Sequence, residues 1–221
     1  MRGAGFRRLA AIAFLLAAPP GAAQERPALL VTLPPRDSVG EVGPLVRASH
    51  VLDDRRIREL MDHGFPARLH YRVELWTTGG LFNRMLRAVE WDLGVRYDPM
   101  GRTFEAVRVT GDSVSSLGVF RDYTSAAAEV ERAYRPVFRP PPSGARLYYN
   151  VTLTLEMMSV GDLDELVRWV RGDLGPAVRG QRNPGTALGR GARTLVSRLL
   201  GGERRTLEAR SPRFTVPVPD R

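Results

Sequence analysis

The sequence predicts an α+β domain built on a predominantly antiparallel β-sheet, or an elaborated β-sandwich, with three short helices. Three observations carry this. Four segments alternate apolar and polar residues with period two, the pattern of strands buried on one face. One-faced alternation favours antiparallel pairing, because buried parallel strands are apolar on both faces. Helical periodicity is confined to short stretches, and nothing repeats with a period of roughly 20–50 residues, which argues against a solenoid.

Taken in order, residues 1–23 read as a secretory signal. Arg2, Arg7 and Arg8 give a basic start, and Leu9 to Ala18 is an apolar run of ten. That run suits a signal core and falls short of the roughly 20 residues a spanning helix needs. Pro19, Pro20 and Gly21 break the helix, and Gly21-Ala22-Ala23 supplies small residues, which places cleavage between Ala23 and Gln24. A β-rich domain over 24–178 follows.

Its first strands, 28–33 and 44–51, are weakly patterned. Asp53 is expected to cap a helix over 54–63 with Ile57, Leu60 and Met61 on one stripe and Gly64 as the stop. Residues 68–76 place Leu69, Tyr71, Val73 and Leu75 on one face, opposite Arg68, His70, Arg72 and Glu74. Residues 88–97 place Val89, Trp91, Leu93, Val95 and Tyr97 inward. Asp98-Pro99-Met100-Gly101 then reads as a hairpin turn, with glycine at the left-handed site. Strands over 102–109 and 114–120 follow. Thr124 or Ser125 is expected to open a helix over 125–135, with Val130, Ala133 and Tyr134 inward.

Pro140-Pro141-Pro142-Ser143-Gly144 is a stiff connector. It leads into the clearest strand, 146–157, where Leu147, Tyr149, Val151, Leu153, Leu155 and Met157 share a face. Asp162 and Glu165 resemble a capping box for a third helix, 163–173. Residues 179–205 read as a basic, Gly/Arg-rich flexible insertion, with one short helix expected over 190–200. A C-terminal strand, 206–216, and a tail to 221 complete the chain.

Charge sharpens this division. The 221 residues contain 33 arginines, no lysine and 24 acids, for a net charge of +9. The leader holds +3, and residues 179–205, with seven arginines and only Glu203, hold +6. The remainder is neutral, so the body has no net field to steer a polyanion, and nucleic acid is not an expected partner. Arg190, Arg193, Arg198, Arg204 and Arg205 are the candidate surface for an anionic membrane or an acidic partner. The plainer reading of the same segment is a solvated linker.

Reactive chemistry is sparse. With no cysteine there is no disulfide, thiol nucleophile or thiolate metal site. Gly111-Asp112-Ser113 resembles the start of a GDS-type hydrolase block, but all three histidines (His50, His63 and His70) lie upstream and no Asp-x-x-His follows. Gly-Asp-Ser is also ordinary turn chemistry. No two histidines have the spacing of a helical metal pair, and Asp53-Asp54 and Asp162-Asp164-Glu165 fit helix openings better than calcium loops. No phosphate-binding glycine loop is present. No cofactor and no metal is expected. His70, Trp76, Trp91 and Trp169 are candidates for a groove, and a core or interface role explains the tryptophans equally well. Asn150-Val151-Thr152 matches a glycosylation sequon in mid-strand and reads as chance.

The order of elements resembles a known family. A helix ends in Leu60 and Gly64-Phe65-Pro66 and runs into Arg68 to Leu75. A hairpin follows, from Val89-Glu90-Trp91-Asp92-Leu93 through Tyr97 to Phe104–Val109. Then come the Tyr123–Tyr134 segment, a long strand and a leucine-rich segment. This is similar to the exported bacterial proteins grouped as domain of unknown function forty-three-ninety, over about residues 45–175. The basic stretch 179–205 departs from that pattern. The resemblance implies a periplasmic or envelope protein, sometimes encoded near a membrane histidine kinase, and no reaction.

The sequence therefore points to an exported, non-catalytic binding or accessory module for an envelope or membrane protein or an apolar ligand. Two alternatives remain at this stage: a secreted serine hydrolase using Ser113, and a peripheral protein attached to membranes through 179–205.

Overall fold

The computed structural model describes residues 26–79, 82–111, 113–142, 144–158 and 204–217. Eight strands and two helices lie among them: β1 (Ala28–Thr32), β2 (Leu45–Ser49), α1 (Arg55–Asp62), β3 (Ala67–Thr78), β4 (Arg84–Asp98), β5 (Thr103–Thr110), β6 (Ser113–Phe120), α2 (Tyr123–Val130), β7 (Arg146–Met157) and β8 (Arg204–Arg210). All strand pairs are antiparallel. β1 and β2 form a ribbon, and the other six form one sheet in the order β6-β5-β4-β3-β7-β8. The α+β, sheet-dominated class is the one the sequence predicts. Two of the three expected helices are found; the third, 163–173, lies outside the described residues, as do the leader, the cleavage site at Ala23 and Gln24, and the 190–200 segment.

Period two explains the central strands. Along β3 every odd residue from Ala67 to Leu75 is buried, and each even residue points to the other face. β7 repeats this with Leu147, Tyr149, Val151, Leu153, Leu155 and Met157. Because β3 lies between β4 and β7, the three apolar rows merge into one core, covered by α1, α2 and the ribbon. Removing a side chain such as Leu69, which is fully buried, costs about 2–5 kcal/mol in a packed core.

Local expectations are corrected in several places. Asp54, not Asp53, caps α1, accepting from the Arg56 N–H, while Asp53 accepts from His50. Asp122 caps α2 by accepting from the Ser125 N–H at 2.8 Å, so the helix begins at Tyr123 and stops at Val130. Ala133 is exposed, and Tyr134 leaves the helix to bridge Val46. In the β4–β5 turn Arg102, not Gly101, takes the positive φ of 52°. The Asp98 carboxylate accepts from the N–H groups of Met100 and Gly101, and a Cβ on Gly101 would fall 2.7 Å from it, so glycine is needed there for space.

The expected 206–216 strand begins two residues earlier and breaks at Ser211. The hydroxyl of Ser211 accepts from the Tyr149 N–H, and its own N–H donates to the Tyr149 carbonyl. Beyond Pro212 the chain returns to β7 through a Leu147–Phe214 bridge. The C-terminal strand thus joins the main sheet, and Arg204 and Arg205 belong to β8 rather than to the insertion before it.

Candidate functional site

Two surfaces concentrate polar groups. The first is the outer face of the sheet, which carries the even residues of β3 and their cross-strand partners. Arg68 donates from Nε and Nη2 to the two Asp92 oxygens at 2.9 and 3.0 Å, and His70 Nδ1 donates to Asp92 Oδ1 at 2.8 Å. Arg72 bonds Glu74 at 2.7 Å and also Glu90; Trp76 Nε1 donates to Glu74 at 2.9 Å. Arg96 pairs with Glu105, and Arg204 with Glu156. Burial pushes the Asp92 carboxyl up, but the bonds from His70 and Arg68 outweigh it and hold the group below its usual range. Glu74 is held low in the same way, with burial opposed by Arg72 and Trp76.

Across this face Asp92, His70 and Thr154 form one row over β4, β3 and β7. Carboxylate, imidazole and hydroxyl are therefore neighbours. However, Thr154 makes no side-chain hydrogen bond to His70, and the central strand spends its backbone N–H groups on β4 and β7. A nucleophile there would lack the oxyanion donors that acyl transfer needs.

The second surface is a cleft of about 650 Å³ where the turn after β1 meets the C-terminal segment. Leu33, Pro34, Val39, Phe214 and Pro217 supply apolar wall, Thr215 a hydroxyl, and Arg36, Arg146 and Arg213 the charge. Each element is locally fixed. The Ser38 N–H bonds the Pro35 carbonyl at 3.0 Å to close the turn bearing Arg36. Thr78 Oγ1 donates to the Arg146 carbonyl at 3.1 Å, anchoring the start of β7. Leu147 and Phe214 exchange backbone hydrogen bonds at 2.7 and 2.9 Å, which holds Arg213 beside β7. The turn packs so tightly that a Cβ on Gly40 would lie 2.9 Å from Val216. Phe214 stacks on Tyr149 with ring centroids 5.1 Å apart. Among the described residues no acid lines the cleft, and none of the three arginine side chains pairs with another residue.

The residues singled out from sequence disperse. Ser113 opens β6, whose neighbour Val114 lies in register with Val109, itself opposite Asp92. His70 is thus three strands away, about 14 Å at the usual strand spacing, and on the other face. His50 bonds Asp53, and His63 bonds the Glu59 carbonyl; neither bonds Ser113. Asp112 lies outside the described residues. Arg204 pairs with Glu156 and Arg205 with Asp54, whose carboxyl the Arg205 hydrogen bond holds below its usual range. Arg190, Arg193, Arg198 and Trp169 lie outside the described residues.

Trp91 is core, stacked on Tyr71 at 4.8 Å and against Tyr134 at 4.9 Å. Trp76 sits on the outer face near Tyr148. Among the described residues no three His, Asp or Glu side chains converge as metal ligands, and no helix is long and apolar enough to cross a membrane. The cleft arginines escaped the sequence reading. Arg36 follows Pro34-Pro35 and Arg213 follows Pro212, a signal of rigid turns and nothing more.

Compared with known families, curated proteins and solved structures, the chain matches none.

Proposed function

We propose that this protein is exported, is processed between Ala23 and Gln24, and serves in the periplasm or cell envelope as a non-catalytic binding or accessory module. The basic start at Arg2, Arg7 and Arg8, the ten-residue apolar run from Leu9 to Ala18 and the small residues Gly21-Ala22-Ala23 support export. The dispersal of Ser113 and the three histidines supports the non-catalytic reading, because a serine nucleophile needs a base within hydrogen-bond reach. The observation that carries the binding role is the cleft between the 33–39 turn and the 213–217 segment. It is concave, mostly apolar and carries a few convergent polar groups, the usual make-up of a small-molecule site.

Fractionation with N-terminal sequencing, combined with complementation of a deletion strain, tests this reading. The mature protein is expected in the periplasmic or envelope fraction, beginning at Gln24. The deletion is expected to weaken the envelope against detergent. Wild type restores resistance and Thr215→Trp, which puts an indole into the cleft, does not. A cytosolic chain beginning at Met1, or full rescue by Thr215→Trp, overturns the proposal. Equal ester hydrolysis by wild type and Ser113→Ala is expected; loss of a measurable rate in the variant would restore the hydrolase alternative.

A further inference from the structure

We infer that the cleft takes an anionic amphiphile, a carboxylate or phosphate head held by Arg36, Arg146 and Arg213 with its apolar body against Leu33, Val39 and Phe214. The inference rests on reading the cleft as the binding site and adds the class of molecule it receives.

Three guanidiniums come from three separate parts of the chain: the turn after β1, the first residue of β7 and the C-terminal segment. All three residues line one concavity that no acid among the described residues lines, and none has a partner among the described residues. Like charges gathered around a cleft repel one another and focus a positive potential into it. On the outer face the same protein places carboxylates against Arg68, Arg72, Arg96 and Arg204. At the cleft no described carboxylate supplies the counter-charge.

Shape narrows the class. A guanidinium presents a planar fork of donors that fits the oxygens of a carboxylate or phosphate. The volume, about 650 Å³, falls within the roughly 300–1,000 Å³ of small-molecule sites and is too large for a lone inorganic anion. The rest of the wall is apolar, and its aromatic floor is held by the Phe214–Tyr149 stack. A head that is charged and a body that is not satisfy both halves of the surface at once. Lipid-derived anions and free phosphate share the head; only the former supply the body.

Calorimetry on the mature protein separates the possibilities, using decanoate, decyl phosphate, decanol and inorganic phosphate below their aggregation limits. Decanoate and decyl phosphate are expected to bind, with affinity falling as salt rises. Decanol and inorganic phosphate are expected to be weaker by about tenfold or more. Arg36→Gln, Arg146→Gln and Arg213→Gln each cost roughly fivefold for the decyl anions and the triple variant about a hundredfold, the scale of exposed charge pairs acting together. Unfolding of the ligand-free triple variant checks that the fold is intact; a midpoint equal to or above wild type is expected, since repulsion is relieved.

Decanol binding as tightly as decanoate, inorganic phosphate binding as tightly as decyl phosphate, or a triple variant with wild-type affinity overturns the inference. Absence of any amphiphile binding also overturns it. If Thr215→Trp still fails to complement in that case, the module reading survives without this ligand class. If Thr215→Trp complements fully, the module reading itself has failed.

Discussion

Arginine lives under opposite conditions on the outer sheet face and at the cleft. On the sheet, Arg68 is 14% exposed and forks onto Asp92, which also receives His70. Arg72 is shared between Glu74 and Glu90. These pairs are held between strands whose register is fixed by the core beneath, so the charges are spent on one another. At the cleft, Arg36, Arg146 and Arg213 are exposed and have no such partner among the described residues. The residue type alone therefore says little about its job. A desolvated, bidentate arginine is costly to orphan, whereas an exposed, unaccompanied one is nearly dispensable for folding and available for recognition.

The largest effect that would sharpen this contrast comes from Asp92→Ala, which strips Arg68 of both short carboxylate bonds and His70 of its acceptor. It is expected to cost about 3 kcal/mol, the scale of breaking a partly buried pair from one side. Urea denaturation measures it, and a loss below about 0.5 kcal/mol would place the outer face on the same footing as the cleft.

The pH dependence comes next. Asp92 and Glu74 have folded values below their ordinary 3.8 and 4.5. Their stabilisation is therefore fully present above those ordinary values and is lost as pH falls through the depressed folded ones. Wild type should lose stability below about pH 4, and Asp92→Ala should lose less over the same range. Identical acid curves for the two proteins would remove Asp92 as a source of the effect.

A smaller change is expected beneath the cleft. The Tyr149 hydroxyl is fully buried with no partner among the described residues, and burial pushes its pKa up. Tyr149→Phe removes an unsatisfied group while keeping the stack on Phe214, so it should leave stability unchanged or raise it by about 1 kcal/mol. A marked loss in thermal unfolding would mean that the hydroxyl has an acceptor. Smallest of all is Arg213→Gln, expected to shift ligand-free stability by no more than about 0.5 kcal/mol. A larger drop would make this arginine structural and break the comparison.

Much of the fold was legible because its signal is local. Leu69 to Leu75 and Leu147 to Met157 alternate in the chain itself, and a strand obeys that alternation wherever it is placed. The helix starts were misread by one to three residues because Asp53 and Asp54 are both competent caps, as are Asp122, Thr124 and Ser125. Only the packed structure, in which Asp53 accepts from His50 and Asp54 also reaches Arg205, chooses between them. Arg205 was read as part of a basic insertion because a run of arginines hides where a strand begins; the register with Leu155 sets that boundary.

The sheet-forming segments, the faces they bury and the absence of thiol chemistry follow from residue type and short-range spacing. Tertiary structure alone decided that Asp92 would receive both Arg68 and His70, and that Arg36, Arg146 and Arg213 would share one cleft. Those outcomes depend on strand order and on which loops meet. They are set by how apolar faces find one another across the whole chain, and no local pattern encodes that meeting.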